Sequence, residues 1–307
     1  MPERYAYLGP EGTFTEAALV AFTSGRDVEA IPCVTIQATL ETVRDGLADR
    51  AIVPIENSVE GAVTATLDEL ATGSELIIRA EILLPVAFAL LARPGIEIAD
   101  IETVGGHPQA QPQCRRWLAE HLPDAVWQQT SSNAEAARQA ADGVIDAALA
   151  GAFAADTYGL AVLARDVADH ADAVTRFVAV SRPGAPPAVT GADRTSLVAF
   201  LLEDHPGALM EILTEFAVRG VNLTRIESRP TGDGLGKYCF SIDCEGHIDD
   251  ARVGEALMGL RRVCAEVRVL GSYPRQAGGP TQVREGTSDA EFAQAAAWLA
   301  RLRYGRV

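Results

Sequence analysis

Three short segments of this chain place residues able to bind a small polar molecule at the ends of apolar runs. Gly9-Pro10-Glu11-Gly12-Thr13 lies between a strand end and a helix start, where free backbone N–H groups and the helix dipole favour an anion such as a carboxylate. The same glycines also suit a tight turn in which Thr13 only caps. Pro54-Ile55-Glu56-Asn57-Ser58 stands at another strand end, the place where open α/β sheets bind ligands. Two such loops at neighbouring strand ends describe a pocket better than either alone. Glu56 is a candidate general acid, or equally a charge-pairing or capping residue. Gly105-Gly106-His107-Pro108-Gln109 opens a helix that carries Gln111, Gln113 and Cys114. His107 is a candidate base, although a lone histidine at a helix start more often has a structural role. The sequence has no Ser-His-Asp or Cys-His arrangement, no metal-ligand cluster and no Gly-x-Gly-x-x-Gly fingerprint. Chemistry at these residues is therefore expected to use neither metal nor cofactor.

The elements that must position these residues alternate short apolar strands with amphipathic helices, an α/β pattern with crossover helices. Strands are expected at Tyr5–Leu8, Ala51–Ile55, Ile77–Glu81, Val86–Ala92, Ala125–Gln128, Ala147–Leu149 and Thr175–Val180, with another ending at Val104. Helices are expected from Thr13, with Glu16 completing a capping box, and near Thr35–Asp45, Val63–Ala71, Gln111–Glu120 and Asn133–Ala141. Ser181 to Asp193 holds three prolines and two glycines with little apolar content, which reads as a linker. Beyond it the order is strand (Ser196–Leu202), helix (Gly207–Val218), strand (Asn222–Ser228), strand (Gly236–Glu245), helix (Asp249–Val263) and strand (Glu266–Leu270). That is the βαββαβ order of ferredoxin-like folds. A final helix capped by Ser288 presents Phe292, Ala295, Leu299 and Leu302 on one face, a stripe expected to pack on a neighbour in this chain or another.

With 307 residues the chain has room for two or three compact units. A formal net charge of −16 argues against nucleic acid or an anionic membrane as partner, because both need a basic face. An anionic substrate would then need a site rich in N–H donors despite the overall field. The apolar runs fall short of a membrane span, and Met1-Pro2-Glu3-Arg4 lacks the basic segment followed by an apolar one that a signal peptide shows, so a cytoplasmic location is expected. The five scattered cysteines lack a Cys-x-x-Cys pair and read as buried thiols in a reducing compartment.

Thr175-Arg176-Phe177, followed by Gly207-Ala208-Leu209-Met210 and Glu227-Ser228-Arg229-Pro230, together with the two N-terminal loops, resembles the prephenate dehydratase family with its C-terminal ACT regulatory domain. The resemblance runs from about Tyr5 to Pro274. It implies two α/β lobes like type II periplasmic-binding proteins over residues 1–181, with the active site in the cleft between them. Lobe one is expected at about 1–79 plus 162–181 and lobe two at about 80–161, with crossings near Arg79–Leu83 and Leu160–Leu163. A linker at 182–194, an ACT domain at 195–274 and a tail with a C-terminal helix at 275–307 complete the scheme.

By resemblance, the reaction is loss of the ring hydroxyl of prephenate together with CO2, giving phenylpyruvate. Aromatisation drives it, and neutral groups near the departing carboxylate suit it better than an arginine clamp. The resemblance makes Thr175 the residue that hydrogen-bonds the leaving hydroxyl, with Asn57 and Gln113 orienting and Thr13 and Ser58 lining the pocket. Arg176 binds the pyruvyl carboxylate or forms a structural ion pair. Some relatives carry a serine where this chain has Gly106, so its hydroxyl is dispensable or is replaced by Thr130, Ser131 or Ser132. In the ACT domain, Gly207, Ala208, Leu209, Asn222, Glu227, Ser228, Arg229 and Pro230 match the L-phenylalanine-binding motifs, which in relatives lie between paired domains. The implied protein is a monofunctional homo-oligomer, dimer or tetramer, in which phenylalanine biases lobe closure. Its rivals are an arogenate dehydratase and a non-catalytic sensor of small acids using the same cleft.

Overall fold

The computed structural model describes residues 2–232 and 237–305. By contact density the chain divides into two compact units, Met1–Thr66 with Ile82–Ala179 and Leu67–Glu81 with Val180–Val307.

The chain opens with β1 (Glu3–Leu8), α1 (Phe14–Thr23), β2 (Val28–Cys33), α2 (Ile36–Arg44), β3 (Arg50–Asn57), β4 (Gly61–Ala62), α3 (Thr64–Thr72) and β5 (Ile77–Pro85). Both β2 and β3 run parallel to β1. The run Ala51-Ile52-Val53 is fully buried, as a central strand covered on both faces requires. Strand β2 was not among the expected strands. It is an edge strand with no residue fully buried and with Pro32 inside it, so it carries little apolar pattern.

Helix α1 starts at the expected cap, with Thr13 Oγ1 accepting from the Glu16 N–H at 3.3 Å. The reciprocal half of the capping box is displaced. The Glu16 carboxylate reaches past Thr13 to the N–H of Gly12 at 2.6 Å and to the Tyr7 hydroxyl at 3.3 Å. Gly12 holds φ +79°, a left-handed conformation that favours glycine.

A second sheet follows, with β6 (Ala89–Ala92), β7 (Thr103–Gly106), α4 (Ala110–Gln113), α5 (Arg115–His121), β8 (Val126–Gln129), α6 (Asn133–Ala141), β9 (Ala147–Ala150), α7 (Ala154–Tyr158) and β10 (Ala161–Ala164). Its strand order is β10-β6-β9-β7-β8. β11 (Val174–Ser181) then returns to the first sheet, whose order is β2-β1-β3-β11-β5 with β4 paired to β3. The first sheet keeps all of β5 to Pro85 and the second keeps β10 to Ala164. The chain therefore changes sheet at residues 86–88 and 165–173, a few residues beyond the expected crossings.

The single helix expected at Gln111–Glu120 is broken into α4 and α5. Asp169 causes the break: its N–H donates to the Gln113 carbonyl at 2.6 Å, and its carboxylate accepts from the Arg116 N–H at 3.1 Å. The break fixes Gln113 at the end of α4, buried to 7% exposure.

The C-terminal module runs β12 (Asp193–Leu201), α8 (Ala208–Ala217), β13 (Leu223–Pro230), β14 (Tyr238–Glu245), α9 (Ala251–Val263) and β15 (Cys264–Pro274). The expected strand Gly236–Glu245 begins at a residue outside the described ones. Strand order β13-β14-β12-β15, antiparallel throughout, is the ferredoxin-like arrangement. Leu197, Ile212, Phe216, Ile242 and Leu260 form the core between sheet and helices. On the other sheet face Arg225 pairs with Asp243 at 2.9 Å, and Ser196 and Ser241 complete a buried polar seam.

The last helix, α10 (Asp289–Arg303), has the Ser288–Glu291 capping box. Its expected stripe stays uncovered among the described residues, with Leu299 and Leu302 exposed and Phe292 half-buried.

Candidate active site

Within the first unit, a cavity of about 420 Å³ is walled by the β3–β4 turn, the start of α3, the β11 strand and the segment around α4. Alternation along β11 decides what it sees. Thr175 and Phe177 line the cavity, whereas Arg176 lies on the opposite face and pairs with Glu56 at 3.2 Å. The structure thus favours the ion-pair alternative for Arg176 over carboxylate binding, and the charge-pairing alternative for Glu56 over acid catalysis.

Asn57 is fixed by its own turn. Its Oδ1 accepts from the N–H groups of Val59 at 2.8 Å and Glu60 at 3.0 Å. With Oδ1 committed to two donors, the Nδ2 group donates to Thr175 Oγ1 at 2.8 Å. Thr175 is 8% exposed. Because its oxygen already accepts one hydrogen bond, its own O–H is left to donate. Gln113 lines the same cavity, and its Nε2 donates to Glu60 Oε1 at 3.0 Å. The three residues expected to act together are therefore brought together.

An adjoining cavity of about 570 Å³ shares Leu8, Phe14, Thr15, His107, Gln109 and Asn133 with the first. The N-terminal residues of α1 and α6 line it, including Thr13 and Ser132. Thr13 Oγ1 also donates to the Leu8 carbonyl at 3.1 Å, tying the cap to the strand end. Ser58 is absent from both linings. Its Oγ accepts from the Val174 N–H at 2.9 Å, and its N–H donates to the Val174 carbonyl at 2.9 Å. Ser58 thus pins the β3–β4 turn to β11 one residue from Thr175.

His107 donates its backbone N–H to Asn133 Oδ1 at 2.8 Å, and its Nδ1 accepts from the Gln109 N–H at 3.3 Å. The neutral ring therefore carries its proton on Nε2. Burial holds its pKa below the usual histidine value, and the Glu60 charge opposes that shift in part. In this state the ring presents an N–H on Nε2 while its lone pair is engaged.

The glycine at 106 has a steric reason. A Cβ there would lie 2.7 Å from the Trp127 ring. Of the three candidate replacement hydroxyls, Thr130 donates to the Ser132 carbonyl and Ser132 caps α6, while Ser131 lines the larger cavity. Glu60 and Gln109 were missed by the sequence reading. Glu60 lies three residues past Asn57 in the same strand-end turn, and Gln109 belongs to the His107 motif, which was the available signal.

In the second unit, a cavity of about 260 Å³ is lined by Gly207, Ala208, Leu209 and Ser228, together with Leu201, His205, Tyr238 and Phe240. Gly207 holds φ +99° as the N-cap of α8, a conformation that again favours glycine. Asn222, Glu227, Arg229 and Pro230 do not line this cavity. Asn222 stands at the far end of β13, where its carbonyl accepts from the Glu245 N–H at 2.9 Å. Pro230 ends β13 opposite Tyr238. Arg229 points to Asp68, with Nε at 2.9 Å and Nη2 at 2.8 Å from its two carboxylate oxygens.

Fold and site together define an α/β protein with a cleft lined by hydrogen-bonded Asn57, Thr175, Gln113 and Glu60, followed by a ferredoxin-like module with a small cavity. Residues 5–185 match the family model for prephenate dehydratase, and residues 196–262 match the ACT domain. The chain is 51% identical over 311 residues to a prephenate dehydratase from Mycobacterium tuberculosis, covering 99% of this chain and 95% of that protein. The crystal structure of prephenate dehydratase from Arthrobacter aurescens in complex with L-Phe superposes with a TM-score of 0.94. It is 54% identical and covers 98% of this chain and 99% of that one. A structure of GqqA, described as a novel type of quorum quenching acylase, is 30% identical with a TM-score of 0.79, covering 89% of this chain and 98% of that one. This chain belongs to the prephenate dehydratase family.

Proposed function

We propose that the chain converts prephenate to phenylpyruvate, water and CO2, and that L-phenylalanine bound to the C-terminal module regulates it. The observation that carries this reading is the Asn57–Thr175 hydrogen bond, which leaves the Thr175 O–H as a donor inside the cavity. In the reaction the ring C–O bond and the bond to the ring carboxylate break. The electron pair released with CO2 completes the aromatic ring, and the departing hydroxide takes up a proton. Thr175 hydrogen-bonds that oxygen as charge develops on it, a contact stronger in the transition state than in the ground state. The described residues lining the 420 Å³ cavity include no lysine or arginine. A wall without a cation supports loss of the ring carboxylate, since no positive charge there stabilises the dianionic ground state. Carboxylate binding falls instead to N–H donors, for which the N-terminal turns of α1 and α6 are the candidates. Thr175 is paired with an amide, an arrangement that suits hydrogen-bond donation better than nucleophilic acyl transfer.

The roles of Asn57, Gln113 and Thr13 follow from that assignment, with Ser58 holding the turn. L-phenylalanine is assigned to the module carrying Gly207, Ala208, Leu209 and Ser228, on the strength of the liganded Arthrobacter structure. Exposed Leu209, Met210, Ile226 and Tyr238 support pairing of this module between copies of the chain, hence a homo-oligomer. No helix among the described residues is long and apolar enough to cross a membrane. A biosynthetic role in the cytoplasm is the matching location. Parallel turnover of prephenate and arogenate tests the substrate assignment: faster phenylpyruvate formation from prephenate supports it, and preferential turnover of arogenate overturns it.

A further inference from the structure

Glu60 is the one carboxylate among the described residues lining the 420 Å³ cavity. It sits in the turn between β3 and β4, on the first-sheet side, and its backbone N–H donates to Asn57 Oδ1 at 3.0 Å. From the second-sheet side, Gln113 Nε2 donates to Oε1 at 3.0 Å and Gln109 Nε2 donates to Oε2 at 2.9 Å. Each oxygen thus takes one amide from across the cleft, while the same residue's N–H helps hold Asn57. An ionised carboxylate accepts at both oxygens, whereas a protonated one must present a donor at one of them. Gln113 is also anchored at its carbonyl by Asp169. With one Nε2 proton spent on Glu60, its remaining N–H and its Oε1 are left for the cavity.

We propose that Glu60 is a positioning residue for the reaction: its carboxylate clasps Gln109 and Gln113 across the cleft and holds Gln113 in register with the Asn57–Thr175 pair. This assignment rests on the prephenate reading of the cavity and deepens it. The clasp sets the fraction of bound substrate in reactive geometry rather than the strength of binding, so its loss is felt in kcat. It needs two acceptor positions and no proton transfer. A glutamine can therefore stand in: its Oε1 accepts from Gln113, and its Nε2 donates to Gln109 once that exposed amide turns over.

Steady-state turnover of prephenate by wild type, Glu60→Ala, Glu60→Gln and Glu60→Gln/Gln109→Ala tests the assignment, with L-phenylalanine binding by calorimetry as the check on folding. The expected result is a kcat about 10- to 100-fold lower for Glu60→Ala at little-changed KM. Glu60→Gln should stay within about threefold of wild type, and the double variant should lose that rescue. Wild-type kcat in Glu60→Ala, a change confined to KM, or equal loss in Glu60→Gln and Glu60→Ala would each overturn it. A wild type that leaves prephenate untouched would sink the functional reading instead. The clasp is then judged by NMR, where the Gln109 and Gln113 side-chain amide signals should shift in Glu60→Ala and the His107 titration should move to lower pH. Unmoved signals would show that the clasp does not form. Should Glu60→Ala fail to fold, Glu60→Gln with and without Gln109→Ala gives the same comparison.

Discussion

Arg229 and Asp68 form a two-pronged ion pair, both contacts under 3 Å. Arg229 follows Ser228, which lines the small cavity of the C-terminal module. Asp68 lies one turn along α3 from Thr64, and Thr64 and Ala65 line the 420 Å³ cavity. One helix therefore carries part of the cavity wall at its start and the partner of Arg229 a turn later. The side chains are 26% and 45% exposed, so the pair adds only about 0.2–1 kcal/mol to folding. A role for the pair in regulation, rather than in stability, is what the next variant tests. Asp68→Asn is expected to leave effector-free turnover near wild type. It should raise the L-phenylalanine concentration for half-inhibition about fivefold or more, on the order of 1 kcal/mol of coupling. An unchanged inhibition curve would reduce the pair to packing.

Asn57 is predicted to act through Thr175. Asn57→Asp removes the Nδ2 donor and offers Thr175 an acceptor, so the Thr175 O–H turns away from the substrate. A kcat lower by about 100-fold is expected, with thermal stability close to wild type. Combining Asn57→Asp with Thr175→Ala should add little to the loss from Thr175→Ala alone, because the two act as a unit. Additive losses would separate their roles.

Trp127 fills the space that a side chain at 106 would need. Gly106→Ser is expected to cost about 1–3 kcal/mol in urea unfolding, and Trp127→Leu in the same chain should recover much of it. A serine accepted without loss would show that the ring moves aside freely.

The strand-end loops, the Thr13 cap and the βαββαβ order were legible because each is a local pattern. The sequence reading left Arg176 open between carboxylate binding and an ion pair, although strand alternation puts it on the face opposite Thr175. Contacts set by distant residues were hidden. Nothing near Gln113 shows that Asp169 will take its carbonyl and break the helix, and nothing in the β3–β4 turn shows that Gln109 and Gln113 will meet Glu60. β2 escaped because an edge strand buries too little to imprint a pattern. The position of Asn222, seven residues from Arg229 and far from the Gly207 cavity, follows from the length of β13 rather than from its motif.

Thiol chemistry should separate the cysteines. Burial pushes Cys114 and Cys244 up to about 12 and Cys264 up to about 11, and it raises Cys239 as well. At pH 8 these four are protonated and inaccessible, so neither thiolate nor access is available. Cys33, half-buried at the larger cavity, is expected to react alone in the native protein. All five should react after denaturation. Rapid labelling of more than one native thiol by a chromogenic disulfide would contradict the packing described.

The most direct test is phenylpyruvate formation from prephenate by wild type and Thr175→Ala, each with and without L-phenylalanine. The account predicts turnover by wild type that responds to L-phenylalanine, and a loss of about 10²- to 10⁴-fold in the variant, which still binds L-phenylalanine. Wild-type kcat in Thr175→Ala, or no phenylpyruvate from well-folded wild type, would contradict it.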